Sequence, residues 1–204
     1  MRLIKFMSGV KTLIFITIQT SFQYRLFRMR IIVCGSIGVG KTALCKQLNS
    51  RLGFTYVNID DIVIQNQLYT RNDLKFNSAV PDEDRLIEFI QNNYSSEKNL
   101  LFDHYGLDIF SDTYFDLAIH CGCNSDILFN RLQLRGYNME KIQENVEVEI
   151  MQVVREELQR FKCKKLFLLT NYIQDMDDNV MICESVVNQL KLALSPKADT
   201  VQVM

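Results

Sequence analysis

The chain contains few prolines, glycines and histidines: two, eight and two among 204 residues. So little proline and glycine excludes collagen-like and low-complexity proteins. Zinc sites normally use four cysteine or histidine ligands in two spaced pairs, so Cys121 and Cys123, in a chain with two histidines, are not expected to bind a metal. No apolar run approaches the roughly 20 residues that cross a bilayer as a helix, which predicts no membrane span.

The composition that remains is typical of a globular protein, with 48% hydrophobic and 23% charged residues. This balance excludes a disordered chain, and the length suits one medium-sized domain. Most of the six cysteines lie in apolar segments, and no secretory signal peptide is evident. We therefore expect free, buried thiols and a reducing compartment.

The net charge of −1 conceals an uneven distribution along the chain. Residues 1–28 hold five bases and no acid, which leaves 18 bases against 24 acids in residues 29–204, a net charge of −6. A body with this charge is not expected to present a direct nucleic-acid face. Any RNA nearby is expected to be reached through a protein partner.

The basic segment 1–28 has two open interpretations. Its bases, its lack of acids and its many serines, threonines and aromatics are typical of a mitochondrial presequence, and its apolar stretch, 13–18, is too short for a membrane helix. The alternative is a dispensable extension from an upstream start codon, with Met29 opening the functional chain. Residues 29–194 are predicted to form the domain and 195–204 a flexible tail.

Strand and helix patterns alternate from Met29 onward. Continuous or alternating apolar runs predict five short strands, at 30–34, 54–57, 99–103, 115–121 and 166–169. Helical periodicity predicts helices at 41–51, 60–68, 82–94, 124–135, 139–161 and 176–194, with a polar connection at 69–81. Short strands separated by helices indicate parallel βαβ units. The prediction is a three-layer α/β fold with a five-stranded parallel sheet.

Residues 35–42, Gly-Ser-Ile-Gly-Val-Gly-Lys-Thr, match the pattern G-x-x-x-x-G-K-[ST] between a buried strand and a helix. Its glycines let main-chain N–H groups turn inward and form a nest for phosphate oxygens, beside a helix N-terminus. Lys41 is expected to reach the β- and γ-phosphates, and the Thr42 hydroxyl to bind Mg²⁺. The pattern predicts that the chain binds a nucleoside triphosphate.

Three further residues are candidates for the same chemistry. Asp103 ends the third strand, where a carboxylate can hold magnesium directly or through water; the alternative is a carboxylate that caps the following turn. Arg131 and Arg135 lie four residues apart on one helix, before a break at 136–138. This arrangement suits a lid that neutralises transferring phosphates, although spacing alone fits a solvated basic face equally well.

With these motifs in place, the chain from Met29 to about Leu194 resembles the isoenzyme 6 branch of adenylate kinases, the nuclear ATPase and ribosome-assembly type. The most specific part of the match is DEDR at 82–85 followed by RGYN at 135–138. The other matching segments are 35–42, 56–58, 67–69, 103–106, 131–132, 145, 149–150 and 152–153.

The resemblance implies a P-loop nucleoside monophosphate kinase, chiefly converting ATP and AMP to two ADP with Mg²⁺ and accepting other nucleoside monophosphates, with an intrinsic ATPase activity. It implies transient binding to a small-subunit ribosomal protein of the platform, late in maturation of the small-subunit 18S-type rRNA, and hence a nuclear and cytoplasmic location. The expected assembly is a monomer or a weak homodimer.

The motifs and the resemblance together name the site residues. Residues 58–82 would form a short monophosphate-binding region and 134–144 a short lid. The predicted ATP-binding residues are Gly35, Gly38, Val39, Gly40, Lys41, Thr42, Ala43 and Arg135. The predicted catalytic residues are Lys41, Asp103, His104, Arg131 and Arg135, the monophosphate-binding residues Asn58, Asp61 and Arg85, and the Mg²⁺ ligands Thr42 and Asp103.

The sequence departs from the family pattern after the third strand. Members usually carry Asp-x-His there, and the histidine is tied to ATP hydrolysis, whereas this chain reads Asp103-His104-Tyr105. Successive strand residues point to opposite faces, so a displacement by one residue is expected to turn His104 away from the nucleotide unless the segment is already a loop. ATP binding is thus a firmer expectation than ATP hydrolysis.

Two other departures affect the substrates. Ile64 replaces the family's arginine in the monophosphate-binding helix, which removes a bidentate partner for the acceptor phosphate; Arg71, Lys75 and Arg85 are the candidate substitutes. A lysine that the family uses near the fifth strand is missing, with Asn171 and Tyr172 in that neighbourhood. These changes predict weak kinase activity in a protein that keeps the assembly role.

Two alternatives to the kinase stay open and one is excluded. An ATP-driven module that binds and releases a ribosomal protein is the main competitor, and a small-metabolite kinase on the same fold is another. A GTP-binding switch needs a guanine-specific Asn-Lys-x-Asp after a late strand, and residues 171–174, Asn-Tyr-Ile-Gln, do not supply it.

Overall fold

The computed structural model describes residues 28–73, 78–171 and 174–194. Its strands are β1 (Met29–Cys34), β2 (Thr55–Asn58), β3 (Tyr69–Asp73), β4 (Ser78–Pro81), β5 (Asn99–Asp103), β6 (Leu117–Gly122) and β7 (Lys164–Leu169). Its helices are α1 (Lys41–Leu52), α2 (Ile59–Gln65), α3 (Glu83–Tyr94), α4 (Ser125–Leu134), α5 (Met139–Ile150), α6 (Val153–Leu158) and α7 (Gln174–Leu194). The basic segment before residue 28 and the tail after 194 lie outside the described residues.

Five strands form one parallel sheet in the order β2-β5-β1-β6-β7. The strand order changes direction at β1, the first strand. β5 and β2 lie on one side of it, and β6 and β7 lie on the other. In open sheets of this kind, ligands bind outside the carboxyl ends of the strands at such a reversal. The turn after β1 holds residues 35–40, so the topology confirms the predicted α/β fold and places the glycine-rich loop at the expected edge.

Helices cover both faces of the sheet, and the sheet separates the core into two layers. One layer joins β1 and β6 to α1, α4 and α7 through side chains such as Val33, Leu44, Leu128 and Val187. The other joins β1 and β5 to α2, α3 and α6. It contains an aromatic cluster in which the Phe102 ring meets Phe110, Tyr114 and Phe115 edge-on at 5.6–5.9 Å. The three-layer arrangement follows from strands that are apolar on both sides.

The prediction of a plain connection at 69–81 is wrong. The segment holds two short antiparallel strands, β3 and β4, that form a separate sheet. The pairing includes a register shift between Tyr69 and Arg71. The polar composition of the segment gave no strand signal, because a small two-stranded sheet at the edge of the core, where Tyr69 and Ala79 pack, needs no continuous apolar run.

The prediction of one helix over 139–161 is also wrong. The helix ends at Ile150, and a second, α6, begins at Val153, because Gln152 adopts a left-handed conformation with φ of 56°. The break changes the phase of the apolar pattern, so Ile150 is 61% exposed and Val153 40% exposed although both fit the predicted buried stripe. Beyond the break the stripe resumes at Leu158 and Phe161, which are buried.

The closing helix has the predicted period. Val180, Cys183 and Val187 are fully buried against the sheet, as their spacing indicates. All six cysteines are free thiols, five of them buried, and burial raises the pKa of Cys34 to about 12. Within the described ranges, no helix has the length and apolarity to cross a membrane.

Phe102→Ala should lower the free energy of unfolding by about 3–5 kcal/mol, because it removes the buried ring around which three other aromatic rings pack. Denaturant titration measures the loss. The matched control is Phe167→Ala, since this ring on β7 is half exposed, and its loss should cost less than about 1 kcal/mol. Equal losses in the two variants would contradict this account of the core.

Candidate active site

The loop between β1 and α1 has a conformation that depends on glycine. Gly35, Gly38 and Gly40 adopt φ values of 139°, 96° and 109°. A side chain on Gly35 would overlap the main-chain oxygen of Cys121 on the neighbouring strand. The loop therefore turns tightly over the carboxyl end of the sheet, which is how a phosphate nest forms.

The N-terminus of α1 is open toward this loop. The residue before the helix is Gly40, and no side chain caps the first turn. The first N–H groups of a helix have no partner inside the helix, and its N-terminus carries a partial positive charge. An anion at this position would accept hydrogen bonds from these N–H groups and be attracted by the partial charge, as phosphates are at helix N-termini.

Lys41 folds back over the loop. Its ammonium group is buried and donates a 2.9 Å hydrogen bond to the main-chain oxygen of Ser36. Burial lowers the pKa of Lys41, although the nearby carboxylate of Asp103 opposes this effect. A triphosphate would supply the negative charge that a buried ammonium lacks.

Thr42 and Asp103 meet beside Lys41. The Thr42 hydroxyl donates to Asp103 Oδ2 at 2.7 Å, and the Tyr56 hydroxyl donates to the same oxygen at 2.8 Å. Burial and this contact raise the pKa of Tyr56, so the phenol keeps its proton. A hydroxyl and a carboxylate at the edge of a phosphate nest fit the oxygen chemistry that Mg²⁺ prefers.

The described residues hold no group of three or more His, Cys, Asp or Glu side chains placed to bind a metal. This does not conflict with magnesium, which is commonly held by one or two protein oxygens together with substrate phosphates and water. Thr42 and Asp103 are the residues that would hold it.

A cavity of about 500 Å³ opens in front of these groups. Among the described residues, three cationic side chains line it, Lys41 from the loop and Arg135 and Lys141 from the predicted lid. Lys141 lies over the ring of Tyr137, 4.3 Å from its centre, in a cation–π contact. The other described lining residues are Ile37, Gly38, Gly40, Thr42, Ala43, Asp60, Val63, Ile64, Ala79, Pro81, Asp103, Tyr105 and Tyr137. Positive charge from the loop and from the predicted lid thus lines the same cavity.

The acceptor side of the cavity differs from the predicted set. Asn58, Asp61 and Arg85 are not among the lining residues. Asn58 instead caps α2 by accepting a hydrogen bond from the Asp61 amide, and the Arg85 amide donates to the cap of α3, Asp82. Their predicted contact with a monophosphate stays a prediction.

Ile64 lines the cavity and is 58% exposed. An apolar side chain thus occupies the place where the family resemblance led us to expect an arginine. Of the candidate substitutes, Arg71 is exposed and does not line the cavity, and Lys75 lies outside the described residues. No described residue of α2 or β4 that lines the cavity carries a positive charge.

His104 and Tyr105 occupy different environments. His104 is 1% exposed, and its Nδ1 lies 3.4 Å from a carboxylate oxygen of Asp60. Loss of solvent at the site would raise the pKa of Asp60, but the contact with His104 and the charge of Lys41 together lower it. Tyr105, not His104, lines the cavity. The structure thus places Tyr105 at the cavity and His104 in a buried position against Asp60, which itself lines the cavity. The effect of this order on ATP hydrolysis stays a prediction.

Arg131 does not line the cavity. Its guanidinium donates to main-chain oxygens of Val39 at 3.3 Å and of Thr170 and Asn171 at 2.6 and 3.0 Å. The Thr170 hydroxyl donates to the same Val39 oxygen. In this conformation Arg131 braces the loop instead of facing a phosphate, and its predicted catalytic contact stays a prediction.

Sequence reasoning missed several residues of the site region, including Tyr56, which donates to Asp103. Asp60, Tyr105 and Lys141 line the cavity, and Glu149 lies buried beneath the loop. Lys141 had a usable signal, because it falls inside the predicted lid three residues after a helix-capping asparagine. Glu149 lies in a segment that matches the family, but as one of four glutamates in α5 it had no signal for a position beside the loop.

The chain is similar to known proteins over most of its length. A family model described as an AAA domain matches residues 31–152. The adenylate kinase isoenzyme 6 homolog of Caenorhabditis elegans is 34% identical over 161 residues, 77% of this chain and 88% of that protein. The homolog of the same name in Schizosaccharomyces pombe is 32% identical over 152 residues, 74% of this chain and 86% of that protein.

Solved structures share the fold. The shikimate kinase of Acinetobacter baumannii, solved in complex with shikimate, matches with a TM-score of 0.57 and 14% identity over 79% of this chain and 94% of that one. The shikimate kinase of Bacteroides thetaiotaomicron gives a TM-score of 0.55 at 14% identity, over 78% of this chain and 98% of that one. At this identity the likeness supports the three-layer P-loop kinase fold alone.

Lys41→Met should weaken binding of a non-hydrolysable ATP analogue by about 10- to 100-fold, since it removes a charged hydrogen-bond donor. Lys46→Met, an exposed position on the same helix, is the control and should bind as the unaltered chain does. Isothermal titration calorimetry measures both.

The lowered pKa of Lys41 adds a pH dependence. A bound polyanion favours the charged ammonium, so affinity should be full below the pKa of the free protein and fall as the pH rises through it. At a pH between the pKa of Lys41 in the free protein and its higher pKa in the complex, binding should take up protons. This uptake is measured as a dependence of the binding heat on the ionisation heat of the buffer. The same uptake in Lys41→Met would contradict the assignment.

Proposed function

Because the chain belongs to the adenylate kinase isoenzyme 6 family, we propose that it is a nucleoside monophosphate kinase that transfers the γ-phosphoryl group of ATP to AMP. Other nucleoside monophosphates are proposed as further acceptors. ATP hydrolysis without an acceptor is proposed as a slower side activity.

One observation carries the proposal. Lys41, the hydrogen-bonded pair Thr42 and Asp103, and the lid residues Arg135 and Lys141 all line one cavity of about 500 Å³. Phosphoryl transfer requires in-line positioning and neutralisation of charge on the transferred group, and little covalent chemistry from the protein. The cavity therefore brings hydrogen-bond donors and positive charge from the loop and from the lid to the space where that group would lie.

Each residue has a distinct task in the proposed reaction. The loop amides and Lys41 bind the β- and γ-phosphates. Thr42 and Asp103 would hold Mg²⁺, which would supply positive charge that neutralises the phosphates. Arg135 and Lys141 approach the γ-phosphate from the lid side as negative charge develops. Closing the lid over the cavity excludes water, which favours transfer to the acceptor over hydrolysis.

The acceptor side supports a loosely selective enzyme. Val63, Ile64, Ala79 and Pro81 offer apolar contacts, and such contacts discriminate weakly between bases. The acceptor phosphate must then rely on the cations near the loop, because Ile64 provides no bidentate partner. We therefore propose a high KM for AMP and a broad range of monophosphates.

The exposed Ile64 also favours a second candidate function. With a weak acceptor site, ATP binding and hydrolysis could serve to bind and release a small-subunit ribosomal protein of the platform during late maturation of the small ribosomal subunit. This candidate would place the protein in the nucleus and cytoplasm. It differs from the kinase in one measurable respect, because its turnover of ATP does not depend on AMP.

ADP formation from ATP should rise at least about tenfold when AMP is added, because transfer to a positioned acceptor outpaces transfer to water. A coupled assay for ADP, run beside an assay for released phosphate, separates the two candidates. Phosphate release unaffected by AMP, with no extra ADP, would favour the release module and contradict the kinase.

The double substitution His104→Tyr with Tyr105→His should raise ATP hydrolysis without AMP by about tenfold or more. It moves the imidazole to position 105, whose side chain lines the cavity. Tyr105→His alone keeps His104 in its buried position and is the matched variant if the double one is unstable. Phosphate release measures the rate, and thermal melting checks the fold. Unchanged hydrolysis in a folded variant would refute the role given to this displacement.

A further inference from the structure

Glu149 is a buried carboxylate that the proposed mechanism does not use. It lies in the last turn of α5, is 6% exposed, and is not among the residues that line the cavity. One oxygen accepts a 2.6 Å hydrogen bond from the Ser36 hydroxyl, and the other accepts a 2.9 Å bond from the Cys123 amide. Burying a carboxylate is costly unless its oxygens are hydrogen-bonded, and both oxygens of Glu149 have donors.

We propose that Glu149 is a positioning residue that holds the start of the phosphate loop in its nucleotide-binding conformation. It links that loop to α5, the helix whose first turns belong to the predicted lid, 134–144. The proposal rests on the proposed function and deepens it. Glu149 acts through Ser36 and touches no substrate.

Ser36 transmits the effect to the lysine of the site. Its hydroxyl donates to Glu149, while its main-chain oxygen accepts the hydrogen bond from Lys41. Fixing this residue fixes the point on which the Lys41 ammonium rests before ATP binds. A charge-assisted bond of 2.6 Å is strong enough to order a glycine-rich turn, because such bonds are about twice as strong as neutral ones.

The neighbouring backbone is built to admit the carboxylate. A Cβ on Gly122 would lie 3.2 Å from Glu149 Oε1, a crowded distance for a buried charged oxygen that already accepts a bond. The bond from Cys123 anchors the same carboxylate to the end of β6. Glu149 thus ties the loop to the rigid sheet as well as to α5.

The second end of the loop, at Val39, is held by residues outside α5. Arg131 on α4 and Thr170 after β7 both donate to the main-chain oxygen of Val39. The segment between α4 and α5, residues 135–138, contains Arg135 and Tyr137 of the cavity wall. The two helices that flank this segment therefore each hold one end of the loop, so a movement of the lid that shifts α5 also reaches Ser36.

The test compares Glu149→Gln, Ser36→Ala and the double variant with the exposed control Glu147→Gln on the same helix. Glutamine keeps the size and can still accept from the Cys123 amide, but it loses the charge that binds the Ser36 hydroxyl. Amide hydrogen exchange of residues 36–41 is measured in the full nucleotide-free chain, together with that of β1 and β5. Affinity for a non-hydrolysable ATP analogue is measured in parallel.

Glu149→Gln and Ser36→Ala should each speed exchange in the loop and weaken binding of the analogue by about tenfold. The double variant should be no worse than the more affected single variant, since both substitutions remove the same charge-assisted hydrogen bond between Ser36 and Glu149. Exchange in β1 and β5 should not change.

Three results would overturn the proposal: loop exchange and affinity equal to those of Glu147→Gln, additive effects in the double variant, or equal loss of protection across the sheet. The last would indicate a merely structural residue. If the unaltered chain binds no ATP analogue, the proposed function fails, while loop exchange in the nucleotide-free chain still decides the role of Glu149.

Discussion

The site depends on a short stretch of main chain being held in one shape before any ligand arrives. The turn at residues 35–40 follows a central strand, and Gly35 leaves no room for a side chain against the neighbouring strand. Groups from α4, α5 and the end of β7 then hold the turn at Ser36 and Val39. Donors that are already fixed need no reorganisation when charge develops, which is the main source of electrostatic catalysis.

The two halves of the cavity differ in how many polar, hydrogen-bonded residues line them. On the donor side, Lys41, Thr42 and Asp103 have defined hydrogen bonds and are supported by Tyr56. On the acceptor side, the described lining residues of α2 and β4 are apolar except for Asp60, which is drawn toward buried His104. This asymmetry explains why binding of a triphosphate follows closely from the geometry, whereas the identity of the acceptor depends on a functional test.

Much of the fold was predictable from sequence, because strands buried on both faces leave continuous apolar runs and the loop leaves a fixed pattern. The break at Gln152 was not, since a left-handed residue inside an apolar period has no local marker. Glu149 and Ser36 are 113 residues apart, and no spacing rule pairs them. The four-residue spacing of Arg131 and Arg135 indicated one helix face, yet only the structure shows that Arg131 turns to main-chain oxygens.

A crystal structure with Mg²⁺ and a non-hydrolysable ATP analogue tests the central claim most directly. The account predicts β- and γ-phosphate oxygens against the amides of residues 36–42, with the Lys41 ammonium moved from the Ser36 oxygen to a phosphate. It also predicts that the Ser36–Glu149 bond is unchanged in the complex. A turn that stays free of phosphate at saturating analogue, with Lys41 still on Ser36, would contradict it.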